Sequence, residues 1–353
     1  MRSLSKKSVI IITLAVIVAL VIVAISVVDA IIQKRNTPHT HTSISMGSVV
    51  SQKIYGADIC ADISKAISTL DSEKLSVTSL SSEISEINAN AGKSAVTVSD
   101  ETLNYIKMCI EIANKTNGAF NPLMGAVIDL WDIGTANPRV PTEAEIEKAL
   151  AFCDYSQIQI DGRCVYLPQK GMKLHLGASG KGIACDTACG ILKNQGTVRG
   201  AVISVGGSVV TYGENPEQSG WTIGVRDPKS NANATLGVLK LYGENYISTS
   251  GSYEKYFEFN GVRYHHILDY STGAPADREL VSVTIVAPSG ILSDALSTAC
   301  FVLDIKSSIQ ILSEYDCQAI FVFENGDIAI TDGLENSFEL RNDSYRIAQV
   351  IKV

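Results

Sequence analysis

Apolar residues fall along this chain in three rhythms. From Val9 to Val28 they are continuous, broken only by Thr13 and Ser26. At about 1.5 Å of rise per residue, such a run spans roughly the 30 Å hydrocarbon layer of a bilayer. It predicts a transmembrane anchor over 9–32, with residues 1–8 cytoplasmic because Arg2, Lys6 and Lys7 precede it. The alternative is a cleaved signal peptide, for which the run is long and Val28-Asp29-Ala30 is an ill-fitting cleavage site. Residues 33–45 are polar and read as a linker, with His39 and His41 as solvated linker side chains.

Beyond 45 the other two rhythms alternate. Helical spacing places Ile59, Ile63, Ile67 and Leu70 on one face, and Leu103, Ile106, Ile110 and Ala113 on another behind a Ser99 cap. Thr142 and Glu145 form a capping box for a third helix. Two further helices are expected from about Leu292 to Val302 and over Ile305–Glu314. Strand-like runs occur at Lys173–Leu176, Ala201–Val205, Trp221–Val225, Leu236–Leu241, Tyr246–Thr249 and Val281–Ala287. Hairpins are expected at Asp161-Gly162, Asn260-Gly261 and Asn325-Gly326. Hairpins interleaved with helices predict an α+β domain over 46–353 rather than a regular βαβ sheet. No internal repeat or low-complexity segment is evident.

Charge removes one class of function. Arg2, Lys6, Lys7, Lys34 and Arg35 against Asp29 give the N-terminal flank +4; with a whole-chain charge of −8, the remainder carries −12. So acidic a domain repels nucleic acid, and any phosphate must be held locally by amides, a lysine or a metal. The eight cysteines include no C-x-x-C; Cys185 and Cys189, at i and i+4, suit a metal or, more commonly, a packed core.

Four stretches carry candidate chemistry. Gly177-Ala178-Ser179-Gly180-Lys181-Gly182 offers free amides at a helix start and one cation, which favours an anion; ligand-free helix starts share the pattern. It is neither a Walker A loop nor G-x-G-x-x-G. Asp294 and Thr298 share a helical face, with Ser297 beside them. Together with a carbonyl they suit Mg²⁺, although a first-turn acid and a buried hydroxyl look the same. In "YHHILDYSTGAP", His265 and His266 point to opposite sides of a strand. "GAFNPLMGAVIDLWDIG", with Phe120 and Trp131, suits either a flat aromatic ligand or a helix-to-core junction.

Taken together and in order, "MGS" (46–48), "GAFNPLMGAVIDLW", "LGASGKG", "STSGSYEKYF", "HHILDYSTGAP" and "SDALSTA" resemble the FAD:protein FMN transferases, the ApbE-like family. The resemblance runs from about Met46 to Leu303 and implies that family's α+β fold, with mixed or antiparallel sheets and packed helices. It implies Mg²⁺-dependent cleavage of FAD, transfer of FMN through a phosphoester to a threonine or serine of an exported protein, and release of AMP. By motif position the metal falls to the Ala178 carbonyl, Asp294 and Thr298. Flavin nucleotide contacts fall to Met46, Ala119, Phe120, Asn121, Lys181, His266 and Leu268. Asp294, His266 and Lys181 are the implied catalytic groups, with the general base open between His266 and Asp294.

Three positions depart from the family pattern: His175 stands where an acid is common, Asn121 where Asp is frequent, and Gly180 where Ala is frequent. The partners implied are exported FMN-carrying subunits of ion-pumping or extracellular electron-transfer systems, met by a membrane-held enzyme whose catalytic domain lies outside the cytoplasm. An FAD pyrophosphatase and a non-catalytic flavin carrier are the competing readings.

Overall fold

The computed structural model describes residues 6–230 and 234–353, so Arg2 and its neighbours over 1–5 lie outside the described residues. The apolar run forms one helix, α1 (Lys6–Asn36). Along it, the side chains described without interruption run from 12 to 28 and are exposed. Among the described residues no helix is long and apolar enough to cross a membrane.

The expected 33–45 linker is corrected. Strand β1 (His39–Ser45) begins two residues past α1 and pairs antiparallel with β2 (Ser48–Tyr55) along its whole length. Its polarity is that of a sheet edge, where polar side chains discourage pairing with other chains. His39 lies 3.4 Å from Asp58, and Arg199 donates to Asn36 Oδ1 at 3.0 Å, tying the helix end to the domain.

The helices that follow are α2 (Cys60–Thr69), continued by a π-helical turn (Leu70–Leu75), α3 (Glu83–Ala89), α4 (Asp100–Lys115), α5 (Gly125–Trp131), α6 (Glu143–Leu150), α7 (Gly180–Asn194), α8 (Gly290–Val302) and α9 (Ile305–Glu314). The further strands are β3 (Val96–Thr97), β4 (Gln159–Asp161), β5 (Cys164–Tyr166), β6 (Gly200–Val205), β7 (Ser208–Gly213), β8 (Trp221–Arg226), β9 (Thr235–Leu241), β10 (Asn245–Gly251), β11 (Tyr256–Phe259), β12 (Val262–His265), β13 (Leu280–Ala287), β14 (Gln318–Phe323), β15 (Asp327–Thr331), β16 (Phe338–Leu340) and β17 (Arg346–Ile351).

Nine strands form the central sheet in the order β1-β2-β6-β7-β10-β13-β14-β15-β17, antiparallel except for the β15–β17 pair. One face packs on α2, α4, α7 and α8, giving the main core. The other meets the small sheet β16-β9-β8 through Leu239, Ile247, Ile320 and Ile330. A third cluster joins α5 and α6 to the β11–β12 hairpin around Trp131. This is the α+β architecture that the patterning predicts.

Helix α8 runs through the middle, and only Leu292 and Thr298 along it are not buried. Its sequence GILSDALSTACFV is correspondingly small and apolar nearly all round. The eight cysteines are unpaired, and Cys185 and Cys189 are core side chains of α7 rather than ligands.

Lys173–Leu176 is extended but belongs to no ladder, a second correction. The Asn88 side chain stands in for the missing strand: its Oδ1 accepts from Leu174 N at 2.7 Å and its Nδ2 donates to Leu174 O at 2.9 Å. Asn88→Ala leaves both buried backbone groups unpaired. It is expected to cost about 2 kcal/mol or more, seen as a lower urea midpoint with an unchanged m-value.

Candidate active site

The glycine-rich bend follows directly from that Asn88-held segment. Gly177 N donates to His175 Nδ1 at 3.2 Å, and burial together with Lys173 holds the His175 imidazole below its usual pKa. A neutral imidazole therefore shapes the bend at this position. Ser179 is fully buried, donating to Leu176 O at 3.2 Å, so the chain turns sharply into α7.

The first turn of α7 closes through Ile183 N, which donates to the Ser179 carbonyl at 2.9 Å. The helix-start amide before it, Gly182 N, has no intrahelical partner and donates to Asp294 Oδ2 at 2.9 Å. This brings the lysine-bearing bend and the acid-bearing helix together. A methyl group on Gly182 would overlap the carbonyl of Gly290 and lie 2.8 Å from Asp294 Cβ, so only glycine permits the approach. Lys181 Nζ lies 3.7 Å from Asp294 Oδ1, and that carboxylate raises the ammonium pKa.

Asp294 is 3% exposed, and its Oδ1 also accepts from Ser208 Oγ at 3.2 Å. A ladder of hydroxyls continues along β10 and α8. Ser248 meets Ser208 at 2.9 Å and Ser293 at 2.8 Å, while Ser250 meets Ser297 at 2.8 Å and Thr298 at 3.3 Å. Thr298, one turn beyond Asp294, and Ser250 are the partly open residues of this group.

The oxygens available here (the Ala178 carbonyl, the Asp294 carboxylate and the Thr298 hydroxyl) are hard donors of the kind that hold Mg²⁺ with several waters retained. The Ala178 carbonyl lies just before the N-cap Ser179 and so outside the helical ladder of α7. The residues present therefore fit such an ion. Among the described residues no group of three or more His, Cys, Asp or Glu side chains is placed to hold a metal ion.

His266 faces the same cleft. Its pKa is lowered to about 4, first by burial and then by Lys181 and Lys255. Its Nδ1 lies 3.2 Å from the Lys255 carbonyl, which only accepts. The neutral ring therefore carries its proton on Nδ1 and leaves a lone pair on Nε2. Because the folded pKa lies below the ordinary 6.5, the native state binds fewer protons than the unfolded chain between these values. Stability from this group is full above pH 6.5 and is lost as pH falls toward 4. His266→Gln is expected to flatten that acid slope, measured as urea midpoints at pH 5 and 7. The other histidine, His265, is buried and bonded at 3.0 Å to the Ala276 carbonyl, so it faces away from the cleft.

Met46 and Gly47 form the β1–β2 turn with φ of 53° and 64°. Met46 N donates to Asp71 Oδ2 at 2.9 Å, and the Met46 methyl lies close to Gly180. The other implied contacts lie differently. Phe120 is 1% exposed in the main core, with Ala119 packed against that core. Asn121 uses its whole amide on the backbone, accepting from Leu123 N and donating to Cys153 O, both at 2.8 Å. Trp131 is 2% exposed and donates to Gly273 O at 2.7 Å, so its stretch is a helix-to-core junction and not a ring-stacking platform. Leu268 packs beside the Trp131 cluster.

Sequence reasoning missed Ser208, Ser248, Ser250 and Glu254. The first three donate into or buttress the Asp294–Thr298 face. Glu254 is exposed and near Lys181 and Asp294; desolvation raises its carboxyl pKa against the pull of Lys181, Arg226 and Lys255. The signal was the run STSGSYE, whose hydroxyls alternate along a strand beside α8.

Residues 46–321 match the ApbE family. A relative from Klebsiella pneumoniae (strain 342), called FAD:protein FMN transferase, is 33% identical over 317 residues, covering 88% of this chain and 98% of the relative. One of the same description from Treponema pallidum (strain Nichols) is 31% identical over 84% of this chain and 87% of its own. Among solved structures, the ApbE protein of Thermotoga maritima superposes with a TM-score of 0.78 at 32% identity, covering 86% of this chain and all of that one. The apo flavinyl transferase ApbE of Pseudomonas stutzeri gives 0.75 at 25% identity, over 86% and 98%.

Proposed function

Since the chain belongs to the ApbE family, we propose that it is a flavin transferase that splits FAD at its pyrophosphate. FMN passes through a phosphoester bond to a threonine or serine of an exported protein, and AMP leaves. The observation that carries this reading is the convergence of the Lys181 bend on the Asp294–Thr298 face, held by the Gly182–Asp294 hydrogen bond.

Mg²⁺, held by the Ala178 carbonyl, Asp294 and Thr298, would supply charge neutralisation at the diphosphate. The chain's own groups do the remainder. Lys181 and the loop amides bind the anion and steady the charge that develops on the departing AMP. The acceptor hydroxyl oxygen forms the new bond to the FMN phosphorus as the bond to the AMP oxygen breaks. Its proton goes to His266 Nε2, which is unprotonated at neutral pH. Asp294 is the poorer base, since both its oxygens already accept hydrogen bonds and Lys181 lies beside it. Alignment of hydroxyl and phosphorus supplies much of the remaining rate.

In this reading α1 anchors the protein in the cell membrane. Support comes from the apolar run of the sequence, interrupted only by Thr13 and Ser26, the basic residues before it and the exposed apolar side chains over 12–28. Acceptors held in the same membrane, such as exported FMN-carrying subunits of ion-pumping or extracellular electron-transfer systems, are then met at high effective concentration. The test incubates the full chain in detergent with FAD, Mg²⁺ and an acceptor domain, followed by mass spectrometry of the acceptor and assay of AMP. Transfer predicts AMP only when acceptor is present. AMP regardless of acceptor indicates a pyrophosphatase, and none indicates a flavin carrier.

A further inference from the structure

The contact between α7 and α8 repeats itself about a local two-fold. The first two turns of α7 carry Gly182-Ile183-Ala184-Cys185-Asp186, and α8 opens with Gly290-Ile291-Leu292-Ser293-Asp294. A methyl on Gly182 would overlap the Gly290 carbonyl, and one on Gly290 would overlap the Gly182 carbonyl. Asp294 accepts the Gly182 amide at 2.9 Å, while Asp186 Oδ1 and Oδ2 accept the amides of Gly290 and Ile291 at 2.7 and 2.8 Å. Each helix thus supplies the acceptor that caps the other. The residue that would ordinarily cap α8, Ser289, makes no side-chain cap bond, and its Oγ is buried without a partner. Five residues are too few to register as a repeat in the sequence, and only the pairing reveals the equivalence.

The two aspartates hold equivalent places but different duties. Asp294 faces the cleft beside Lys181, whereas Asp186 is committed to two backbone amides. We propose that Asp186 is a positioning residue: by clamping the first turn of α8 against α7, it fixes the Asp294 carboxylate relative to the Ala178 carbonyl, with which it would hold Mg²⁺. The inference rests on the proposed metal-dependent transfer. The Asp294 carboxylate is one helical turn beyond the clamped amides, so displacement of that turn passes to it along a rigid helix. Buried helix-end amides left without an acceptor cost enough to drive such a displacement.

The experiment titrates Mn²⁺ into the full-length protein by electron paramagnetic resonance. It compares wild type, Asp294→Ala, Asp186→Asn and, as a control, Thr142→Ala, which removes the cap of α6, a helix that supplies no residue of the proposed metal set. Asparagine keeps the size of Asp186 but can accept from only one of the two amides. The expected result is Asp294-dependent binding in wild type, weakened about tenfold in Asp186→Asn, as outer-shell partners of a metal site commonly show. Thr142→Ala stays at the wild-type affinity, and kcat for FMN transfer in Asp186→Asn recovers at saturating Mg²⁺. If Asp186→Asn does not fold, Asp186→Ser, which retains a small acceptor, gives the same readout; failure of both to fold overturns the proposal. So does an affinity within twofold of wild type in a folded variant, or an equal loss in Thr142→Ala. Absence of Asp294-dependent binding in wild type overturns the metal reading itself, a result distinct from failure of the clamp alone.

Discussion

Replacing Asp294 with alanine is expected to slow FMN transfer by about a hundredfold or more. The carboxylate is 3% exposed, accepts from Gly182 N and Ser208 Oγ, and lies 3.7 Å from Lys181. Its removal takes away the charged oxygen of the proposed metal set and leaves two buried donors and a cation without their partner. Single-turnover flavinylation of an acceptor, followed by mass spectrometry, measures the loss. Flavinylation at the wild-type rate would remove the metal assignment. Thermal unfolding in parallel separates this chemical loss from loss of fold.

The second large effect is expected from Gly182→Ala. The added methyl overlaps the Gly290 carbonyl and crowds Asp294 Cβ at 2.8 Å, against backbone that no side-chain rotation relieves. Overpacking of this kind costs about 3 kcal/mol, seen as a reduced urea midpoint, with activity falling further than stability because the Gly182–Asp294 bond parts. Gly190, on the same helix with open space where a Cβ would sit, provides the comparison. Gly190→Ala is expected to be neutral or slightly stabilising, since alanine has the higher helix propensity.

Where local chemistry decides structure, the chain is readable without coordinates. Ser99 accepts from Thr102 N at the start of α4, Thr142 and Glu145 complete their capping box, and Asn260-Gly261 turns its hairpin with both residues at positive φ. The α9 bounds follow from the Asp304 cap and the apolar stripe behind it. Strand β7 carried a usable signal, the Gly206-Gly207 pair joining Val205 to Ser208, yet its run of Ser, Val, Val, Thr and Tyr lacks clean alternation. The β1–β2 hairpin had no such signal. Its turn is Met46-Gly47, where a methionine adopts φ 53° because Asp71, twenty-five residues on, accepts its amide.

The site divides along the same line. The i, i+4 spacing put Asp294 and Thr298 on one face, and small residues marked the Lys181 bend. That these two meet rests on glycines 108 positions apart in the chain, Gly182 and Gly290, whose fit only the packed helices show. In a linear reading Asn121 and Trp131 show only a polar and an aromatic side chain, which serve sites and cores alike. The structure adds that they donate to the Cys153 and Gly273 carbonyls.

Strand β1 leaves the end of α1 at His39 and delivers Met46 to the mouth of the cleft without a break. Seven extended residues cover about 23 Å. With the helix seated in a lipid bilayer as proposed, this strand is a measured boom rather than a slack leash, and it sets a reach requirement for clients. Were the strand to stand along the bilayer normal, a client whose target hydroxyl sits on a loop hugging the lipid headgroups would stay out of range, and one that lifts it on a stalk of matching length would be served.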